Sequence, residues 1–253
     1  MKKKLALILA GTAMAAMVLA GCGEKNNASG EDAKTAESVE DKKTFTVGFD
    51  AEYPPYGYMD ENGEYTGFDL ELAEAVCKLE GWELVKKPLN WDSKDMELNS
   101  GSIDCIWNGF TMNGREYDYT FSTPYVDNSQ VIVVAEKSGI DTLEDLAGKT
   151  VGVQAASAAL DLLQSEEEGG QKKLVDTFGA LNEFADYNTA FTELQAGALD
   201  ALAIDVGVAN YQIKSRGEGY KILDETLNTE QYAIGFKKGN QELCDVVNAD
   251  LKN

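Results

Sequence analysis

Hydrophobic and polar residues alternate along TFTVGF, residues 44–49, which is the pattern of a half-buried β-strand. In GFDLELAEAVCKLEGW, residues 67–82, apolar residues recur at helical spacing and form one stripe: Phe68, Leu72, Val76 and Leu79. Asp69 near the start and Gly81 after the end are helix boundary signals. These residues therefore predict a strand followed by an amphipathic helix.

The rest of the chain continues this alternation of strands and helices. The same signals predict, in chain order, a polar helix near residues 92–99, strands over 103–107 and 129–137, a helix and a strand within 142–154, helices within 156–170 and 188–197, and a strand over 200–204. The apolar run in SQVIVVAEK, residues 129–137, is typical of a strand buried on both faces. The pattern predicts an α/β fold.

One eight-residue pattern occurs twice, as ELNSGSID at residues 97–104 and ELQAGALD at residues 193–200. Each copy predicts the end of a helix, a Gly stop and the start of an apolar strand. Ligands of such sheets collect beyond the carboxyl ends of the strands. The first copy leads to Thr111 and Arg115, and the second leads to Asp205. The repeat therefore predicts two similar lobes facing each other across a cleft, one offering a cation and the other an anion.

The chain begins with a Lys cluster, an apolar stretch and small residues, which predicts a secretory signal over residues 1–21. Its end, Leu19-Ala20-Gly21-Cys22, resembles a bacterial lipobox, in which Cys22 carries a lipid. The alternatives are a plain signal peptide or a membrane span, and Gly11 and Thr12 disfavour a span. Residues 22–43 contain one Val and no larger apolar residue after Cys22, which predicts a flexible tether ahead of a globular part starting near Thr44.

Composition excludes several classes of function. Removing residues 1–21 removes three Lys and no acid, so the mature chain carries a net charge of −25. Such a surface repels nucleic acids and anionic lipids, so membrane attachment would depend on the lipid at Cys22. The sequence has no His, which excludes Ser-His-Asp and Cys-His nucleophiles and His metal ligands. We predict no cofactor and no metal site.

The remaining cysteines are Cys77, Cys105 and Cys244. Their number is odd, and none forms a Cys-x-x-Cys motif. Burial as small hydrophobic residues is therefore expected, and a disulfide framework is not indicated.

Six motifs, in order, resemble the polar amino-acid-binding proteins of ABC importers, which have the type II periplasmic-binding-protein fold. They are VGFDAEYPPYGY, GEYTGFDLELAEAV, NGFTMNGRE, FSTPYVDN, TLEDLAGKTVGVQ and AFTELQAGALDALAIDVGVANY. The resemblance implies a first lobe of residues 44–127 plus 230–253 and a second lobe of residues 128–229. It places hinge strands near residues 125–129 and 228–232.

The resemblance also implies roles for individual residues. Arg115 would bind the α-carboxylate of an amino acid through paired hydrogen bonds, assisted by the hydroxyl of Thr111. Asp205 would bind the α-ammonium, assisted by a main-chain carbonyl near Asn108. The alternatives are an ion pair of Arg115 with Glu116 or Asp118, and a helix-capping role for Asp205.

Asp50 and Tyr53 correspond to the side-chain pocket of that family. Tyr53 would contact an apolar or cationic side chain, and Asp50 would favour an amide or a positive group. The alternative is that Tyr53 only begins a rigid turn with Pro54 and Pro55. Trp107 is a further candidate for the pocket, although an aromatic residue that ends a strand is more often part of the core.

The chain departs from the family in three places. Ala156-Ser157-Ala158 stands where Gly and two hydroxyl residues are common, so a hydroxyl is lost at Ala158, while backbone N–H groups beside Ser157 remain available for a carboxylate. The loop from Thr111 to Arg115 is one residue shorter. Proteins of the family also continue past the position of VVNADLKN with a terminal helix, which this sequence lacks. Two interpretations are that the sequence is a fragment or that the chain is partly destabilised.

The leading hypothesis is a monomeric, lipid-anchored binding protein on the extracellular face of the membrane, which delivers a polar or basic amino acid to an ABC permease. An enzyme of the same fold, such as a cyclohexadienyl dehydratase, would need Glu or Asp acids with raised pKa values because His is absent. An anchored amino-acid sensor is a third possibility.

Overall fold

The computed structural model describes residues 39–217 and 219–252. Its strands are β1 (Thr44–Phe49), β2 (Glu52–Tyr53), β3 (Gly57–Met59), β4 (Tyr65–Thr66), β5 (Glu83–Pro88), β6 (Cys105–Ile106), β7 (Tyr119–Phe121), β8 (Val126–Ala135), β9 (Thr150–Gln154), β10 (Ala180–Phe184), β11 (Ala201–Asp205), β12 (Tyr220–Ile222), β13 (Asn228–Tyr232) and β14 (Gly235–Lys237). Its α-helices are α1 (Phe68–Glu80), α2 (Lys94–Ser100), α3 (Ala158–Gln164), α4 (Lys172–Val175), α5 (Tyr187–Ala196), α6 (Val206–Arg216) and α7 (Gln241–Asp250).

The predicted signal sequence, Cys22 and most of the predicted tether lie outside the described residues. Within residues 39–217 and 219–252, no helix is long and apolar enough to cross a membrane. Val39–Asp41 forms a 3-10 turn, and Val39 packs against the core. Lys42 lies 2.6 Å from a carboxylate oxygen of Asp104. The described structure therefore includes ordered residues ahead of the predicted start at Thr44.

The first sheet has the strand order β5-β1-β6-β14-β7. β1 pairs in parallel with β5 and β6, and β14 returns from near the end of the chain to pair antiparallel with β6 and β7. Phe45, Val47 and Phe49 of β1 are buried in a cluster with residues of α1 and α7. This sheet and its helices form the first lobe.

The second sheet has the order β10-β9-β11-β8-β12, and β13 also pairs with β8. Along β8, Val131 and Val133 pack in a cluster with α5, whereas Ile132 and Val134 pack in a cluster with α3. Both faces of β8 are therefore buried, as its continuous apolar run predicts. This sheet and its helices form the second lobe.

Two strands connect the lobes. β8 and β13 pair antiparallel, with Val126 opposite Tyr232 and Gln130 opposite Asn228. The chain enters the second sheet along β8 and leaves it along β13, and both segments coincide with the predicted hinge strands. The α/β fold with two lobes joined by two strands confirms the predicted fold class.

The repeated pattern builds the same unit in each lobe. Gly101 directly follows α2 and Gly197 directly follows α5, and both have positive φ. The Asp at the end of each copy accepts a hydrogen bond from a backbone N–H of a strand in the same lobe. Asp104 accepts from Thr46 of β1 at 2.7 Å, and Asp200 accepts from Thr150 of β9 at 2.8 Å. The pattern therefore fastens each returning strand to its sheet.

The predicted helix α1 is present, but part of its predicted buried face is wrong. Phe68 and Leu79 are exposed, and Asp69 is fully buried. The helix instead buries Leu70, Ala73, Val76 and Cys77 together with Asp69. This second stripe has the same helical spacing, so periodicity alone did not distinguish the two. The three described cysteines are free and buried, as expected.

Candidate binding cleft

A small cavity lies between the two lobes. Six predicted site residues line it: Tyr53, Thr111, Arg115, Ser157, Ala158 and Asp205. The other lining residues are Trp91, Gly109, Phe110 and Gln154, which the sequence did not identify. Its volume of about 10 Å³ holds about one water molecule. A larger ligand therefore requires the walls to separate, and these walls belong to different lobes.

Arg115 reaches the cavity from a loop that is fastened to β13. Thr111 bridges Tyr232, and the N–H of Met112 donates to the carbonyl of Gln231 at 3.0 Å. The Arg115 guanidinium lies 5.1 Å from the centre of the Phe110 ring. Its Nη2 donates to Asp161 of the second lobe at 2.7 Å, rather than to Glu116 or Asp118. Because a guanidinium has five donors, this bond leaves others for a ligand.

Asp205 ends β11 and is held by a dense set of donors. Its Oδ1 accepts hydrogen bonds from Tyr232 at 2.6 Å, Gln130 at 2.7 Å and Asn128 at 2.8 Å. Burial raises the pKa of Asp205, and the negative charge of Glu230 raises it further. Asp205 occupies the N-cap position of α6 but makes no side-chain capping bond there. Its side chain therefore faces the cavity and the hinge strands, not the helix.

Glu230 on β13 is the main polar group near the cavity that the sequence did not identify. It is 4% exposed, and its Oε1 accepts a 2.8 Å hydrogen bond from each of Thr111, Asn128 and Gln130. The Thr111 hydroxyl thus donates to Glu230 in this structure. A signal was present in NTEQY, where Asn228 and Glu230 occupy alternate positions of a strand.

Aromatic rings form the apolar part of the cavity wall. The Tyr53 ring lies 5.9 Å from Tyr187 of the second lobe, and its hydroxyl lies 3.5 Å from that of Tyr232. The rings of Trp91 and Phe110 pack edge to face, with their centres 5.8 Å apart. The rings of Tyr53, Trp91 and Phe110 line the cavity and give a ligand side chain flat apolar surfaces.

The turn before α3 supplies backbone to the cavity. Ser157 caps the helix: its Oγ accepts from the N–H of Leu160 at 3.1 Å and donates to the carbonyl of Gln154 at 2.7 Å. Ala156 has φ 54°, a left-handed conformation that Gly adopts more easily. This conformation explains why Gly suits the position that Ala156 occupies.

Asp50 lines a second, larger cleft of about 820 Å³ and not the small cavity. Its Oδ1 accepts from the N–H of Glu52 at 2.8 Å, and its Oδ2 accepts from Gln154 of the second lobe at 2.7 Å. Burial raises the pKa of Asp50 to about 6. Trp91 lines both spaces, so the larger cleft borders the cavity, and we call it the outer cleft.

The outer cleft is acidic. None of its described lining residues is basic, and its carboxylates are Asp50, Glu52, Asp92, Glu97, Glu183 and Asp186. A field of this sign attracts cations and repels anions.

Two predicted site residues lie behind the cavity wall. Trp107 is fully buried in the core of the first lobe, and the centre of its ring lies 6.3 Å from the centre of the Tyr125 ring. Asn108 is 1% exposed, and its Oδ1 lies near Gly57. The adjacent Gly109 lines the cavity with φ 56°, where a Cβ atom would lie 3.0 Å from ring atoms of Tyr53 and Tyr232. Residues 107–109 therefore contribute the backbone of Gly109 to the cavity wall, and the side chains of Trp107 and Asn108 do not line it.

Among the described residues, no group of three or more Asp, Glu, Cys and His side chains is arranged to hold a metal ion.

A family model for bacterial extracellular solute-binding proteins, family 3, matches residues 45–253. The arginine-binding extracellular protein ArtP of Bacillus subtilis (strain 168) is 34% identical, over 100% of this chain and 92% of ArtP. The L-cystine-binding protein TcyJ of Escherichia coli (strain K12) is 30% identical, over 93% of this chain and 85% of TcyJ.

A solved structure is similar in both sequence and fold. It is an ABC uptake transporter substrate binding protein from Streptococcus pneumoniae with bound histidine, 33% identical with a TM-score of 0.79, covering 85% of this chain and 87% of that chain. These relatives are binding proteins and not enzymes.

Proposed function

This chain belongs to the bacterial extracellular solute-binding proteins, family 3, and on that basis we propose that it captures a polar or basic L-amino acid and delivers it to the permease of an ABC transporter. It acts as a binding protein, not as an enzyme. Capture would proceed by hinge motion about β8 and β13, since the closed cavity has room for about one water molecule.

One observation carries the proposal: Arg115 and Asp205 line the same cavity from opposite lobes. An amino acid is a zwitterion, so a guanidinium and a carboxylate on facing walls match its two backbone charges. Each charge would bind a different lobe, and the ligand would then stabilise closure of the cleft.

The acidic outer cleft supports a neutral or positively charged ligand side chain. A carboxylate placed beside Asp50 would add like-charge repulsion to the desolvation of both groups. ArtP is named for arginine, TcyJ for cystine, and the Streptococcus pneumoniae structure holds histidine. None of these names is an acidic amino acid, which agrees with the charge of the cleft.

A thermal-shift screen of the common amino acids tests the ligand class. We expect glutamine, arginine, lysine, histidine or cystine to raise the unfolding midpoint more than glutamate or aspartate. A ligand at 100 times its Kd stabilises the folded state by about 2.7 kcal/mol. Asp50→Asn should reduce the preference for cations. If glutamate stabilises most, and Asp50→Asn leaves the ranking unchanged, the role proposed for Asp50 is wrong.

The membrane anchor is a separate proposal, supported by Leu19-Ala20-Gly21-Cys22 and the polar segment after it. We propose that Cys22 carries a lipid and holds a monomeric protein on the extracellular face of the membrane. Cys22→Ser should release the protein or leave its precursor unprocessed, as judged by fractionation and mass spectrometry. Ala28→Ser in the tether is the control. Normal maturation and membrane retention of the Cys22 variant would contradict the anchor.

A further inference from the structure

Asp205 and Glu230 form a buried pair of acids that shares its hydrogen-bond donors. The side-chain amide of Asn128 lies 2.8 Å from Oδ1 of Asp205 and 2.8 Å from Oε1 of Glu230. The amide of Gln130 makes the same bridge, at 2.7 Å and 2.8 Å. The carboxyl groups are therefore no farther apart than two hydrogen bonds laid end to end, and they are 3% and 4% exposed.

The bridging amides are oriented entirely toward the acids. Both Asn128 and Gln130 direct their NH₂ groups at the carboxyl oxygens, while their own carbonyl oxygens are buried without a partner among the described residues. Leaving a buried acceptor unsatisfied costs free energy. The donors of both amides are therefore directed at the two acids.

No cation neutralises the pair within the part of the chain that the structure describes. The titratable side chains facing Asp205 are Glu230 and Tyr232 of β13, Tyr53 of β2, Tyr56, Tyr187 of α5, and Arg115 across the cavity. Glu230 also borders surface clefts lined by Asp127, Asp161, Glu167 and Glu168. The one cation in this set, Arg115, is already paired with Asp161.

Two like charges this close in a buried site do not both ionise without cost, so a proton is the simplest way to remove one of them. We propose that Glu230 is a positioning residue that makes Asp205 hold a proton until the α-ammonium of the ligand replaces it, so that ligand binding releases that proton. This inference rests on the proposed function, because it needs an amino acid to bind at Asp205.

The exchange balances in charge and atoms. Before binding, the two acids and one proton carry a charge of minus one together. When the ammonium group binds, the proton leaves Asp205 for the solvent, and the positive charge of the ammonium takes its place. The ammonium keeps its own protons, and no covalent bond to carbon or nitrogen changes. The raised pKa of Asp205, caused by burial and by Glu230, agrees with a proton held in the mildly acidic range.

Titration calorimetry in two buffers of different ionisation enthalpy measures the proton released per ligand. With the amino acid that stabilises most in the thermal-shift screen, wild type should release up to one proton at pH 5, and its affinity should fall by up to tenfold per pH unit below about 6. Glu230→Gln should release less and show a flatter pH profile. Glu230→Asp retains a second acid and should retain the release, and the exposed Glu136→Gln is the control. Equal release in wild type and Glu230→Gln, or no release in wild type, would overturn the proposal.

A ligand-free measurement separates this proposal from the proposed function. In protein labelled with ¹³C at the Asp carboxyl carbons, the resonance absent from Asp205→Asn reports the titration of Asp205. Its midpoint should lie above the ordinary Asp range in wild type and move down in Glu230→Gln. The same midpoint in both proteins would overturn the role of Glu230. If that midpoint moves but no amino acid binds, the proposed function fails and the coupled pair remains.

Discussion

Replacing Arg115 with Ala should weaken amino-acid binding by about 2–5 kcal/mol, because the ligand carboxylate would be buried without a cation. The loss should exceed that from a neutral hydrogen bond, since a guanidinium donates two parallel, charge-assisted bonds to a carboxylate. Arg115→Lys should restore only part of the affinity, because an ammonium lacks this planar pair of donors. Titration calorimetry with the preferred amino acid measures these changes.

The chain provides a matched control for Arg115. Arg216 is the only other Arg in the sequence, and its guanidinium stacks on Phe191 at 5.3 Å, as Arg115 stacks on Phe110 at 5.1 Å. Arg216 lies on α6 and does not line the cavity. Arg216→Ala should therefore leave the affinity close to that of wild type.

Replacing Asp205, on the opposite wall of the cavity, should weaken amino-acid binding as much as replacing Arg115. Asp205→Ala removes the carboxylate proposed for the ligand ammonium and should also cost about 2–5 kcal/mol of binding free energy. Thr111→Ala should cost about 1 kcal/mol, the usual contribution of one hydroxyl hydrogen bond. Ligand binding requires that hydroxyl, which donates to Glu230 in this structure, to turn to the ligand carboxylate. Wild-type affinity in a folded Arg115→Ala or Asp205→Ala variant would remove the zwitterion clamp from the proposed function.

The parts of the fold that follow from local pattern were predictable from the sequence. The apolar run of β8 indicated burial on both faces, and the two copies of the repeated pattern indicated equivalent helix-to-strand units. Both inferences depend on residues that are close together in the chain. They needed no knowledge of which elements pack together.

Groups at the site that depend on tertiary packing were not predictable in the same way. Gln154 crosses between the lobes to Asp50, and Glu230 meets Asp205 only because β8 lies next to both β11 and β13. Trp91 sits in a polar stretch that gave no sign of a binding role. Sequence separation hides these contacts, since the partners are far apart in the chain.

The burial of Asp69 was also not predictable from the sequence, because it depends on tertiary packing. It affects the stability of the protein. Its position near the start of α1 suggested a helix boundary residue, but the structure buries it completely. Its Oδ2 accepts hydrogen bonds from the N–H of Gly109 at 2.5 Å and from the Tyr125 hydroxyl at 2.9 Å. Its Oδ1 has no partner among the described residues. Asp69 therefore anchors the backbone segment that carries Gly109 to the cavity.

Burial raises the pKa of Asp69 from 3.8 to about 7, because the charged form is poorly solvated and no cation among the described residues compensates it. The folded state therefore binds a proton more tightly than the unfolded state. The resulting stabilisation is fully present below pH 3.8 and is lost as the pH rises through about 7. The raised pKa values of Asp50 and Asp205 act in the same direction.

We expect the ligand-free protein to lose stability between pH 5 and pH 8, and Asp69→Asn to remove a large part of that loss. The amide keeps an acceptor for Gly109 and Tyr125 without a charge, so the variant should be more stable than wild type at pH 8, by a free energy of unfolding on the order of 2–4 kcal/mol. Urea denaturation at several pH values measures the difference. Asp60→Asn is the control, since Asp60 is only partly buried and backbone and Asn62 hydrogen bonds lower its pKa, which gives the opposite pH dependence. If Asp69→Asn is less stable than wild type at pH 8 and has the same pH slope, Asp69 is charged in the folded protein at neutral pH, and its hydrogen bonds outweigh the cost of its burial.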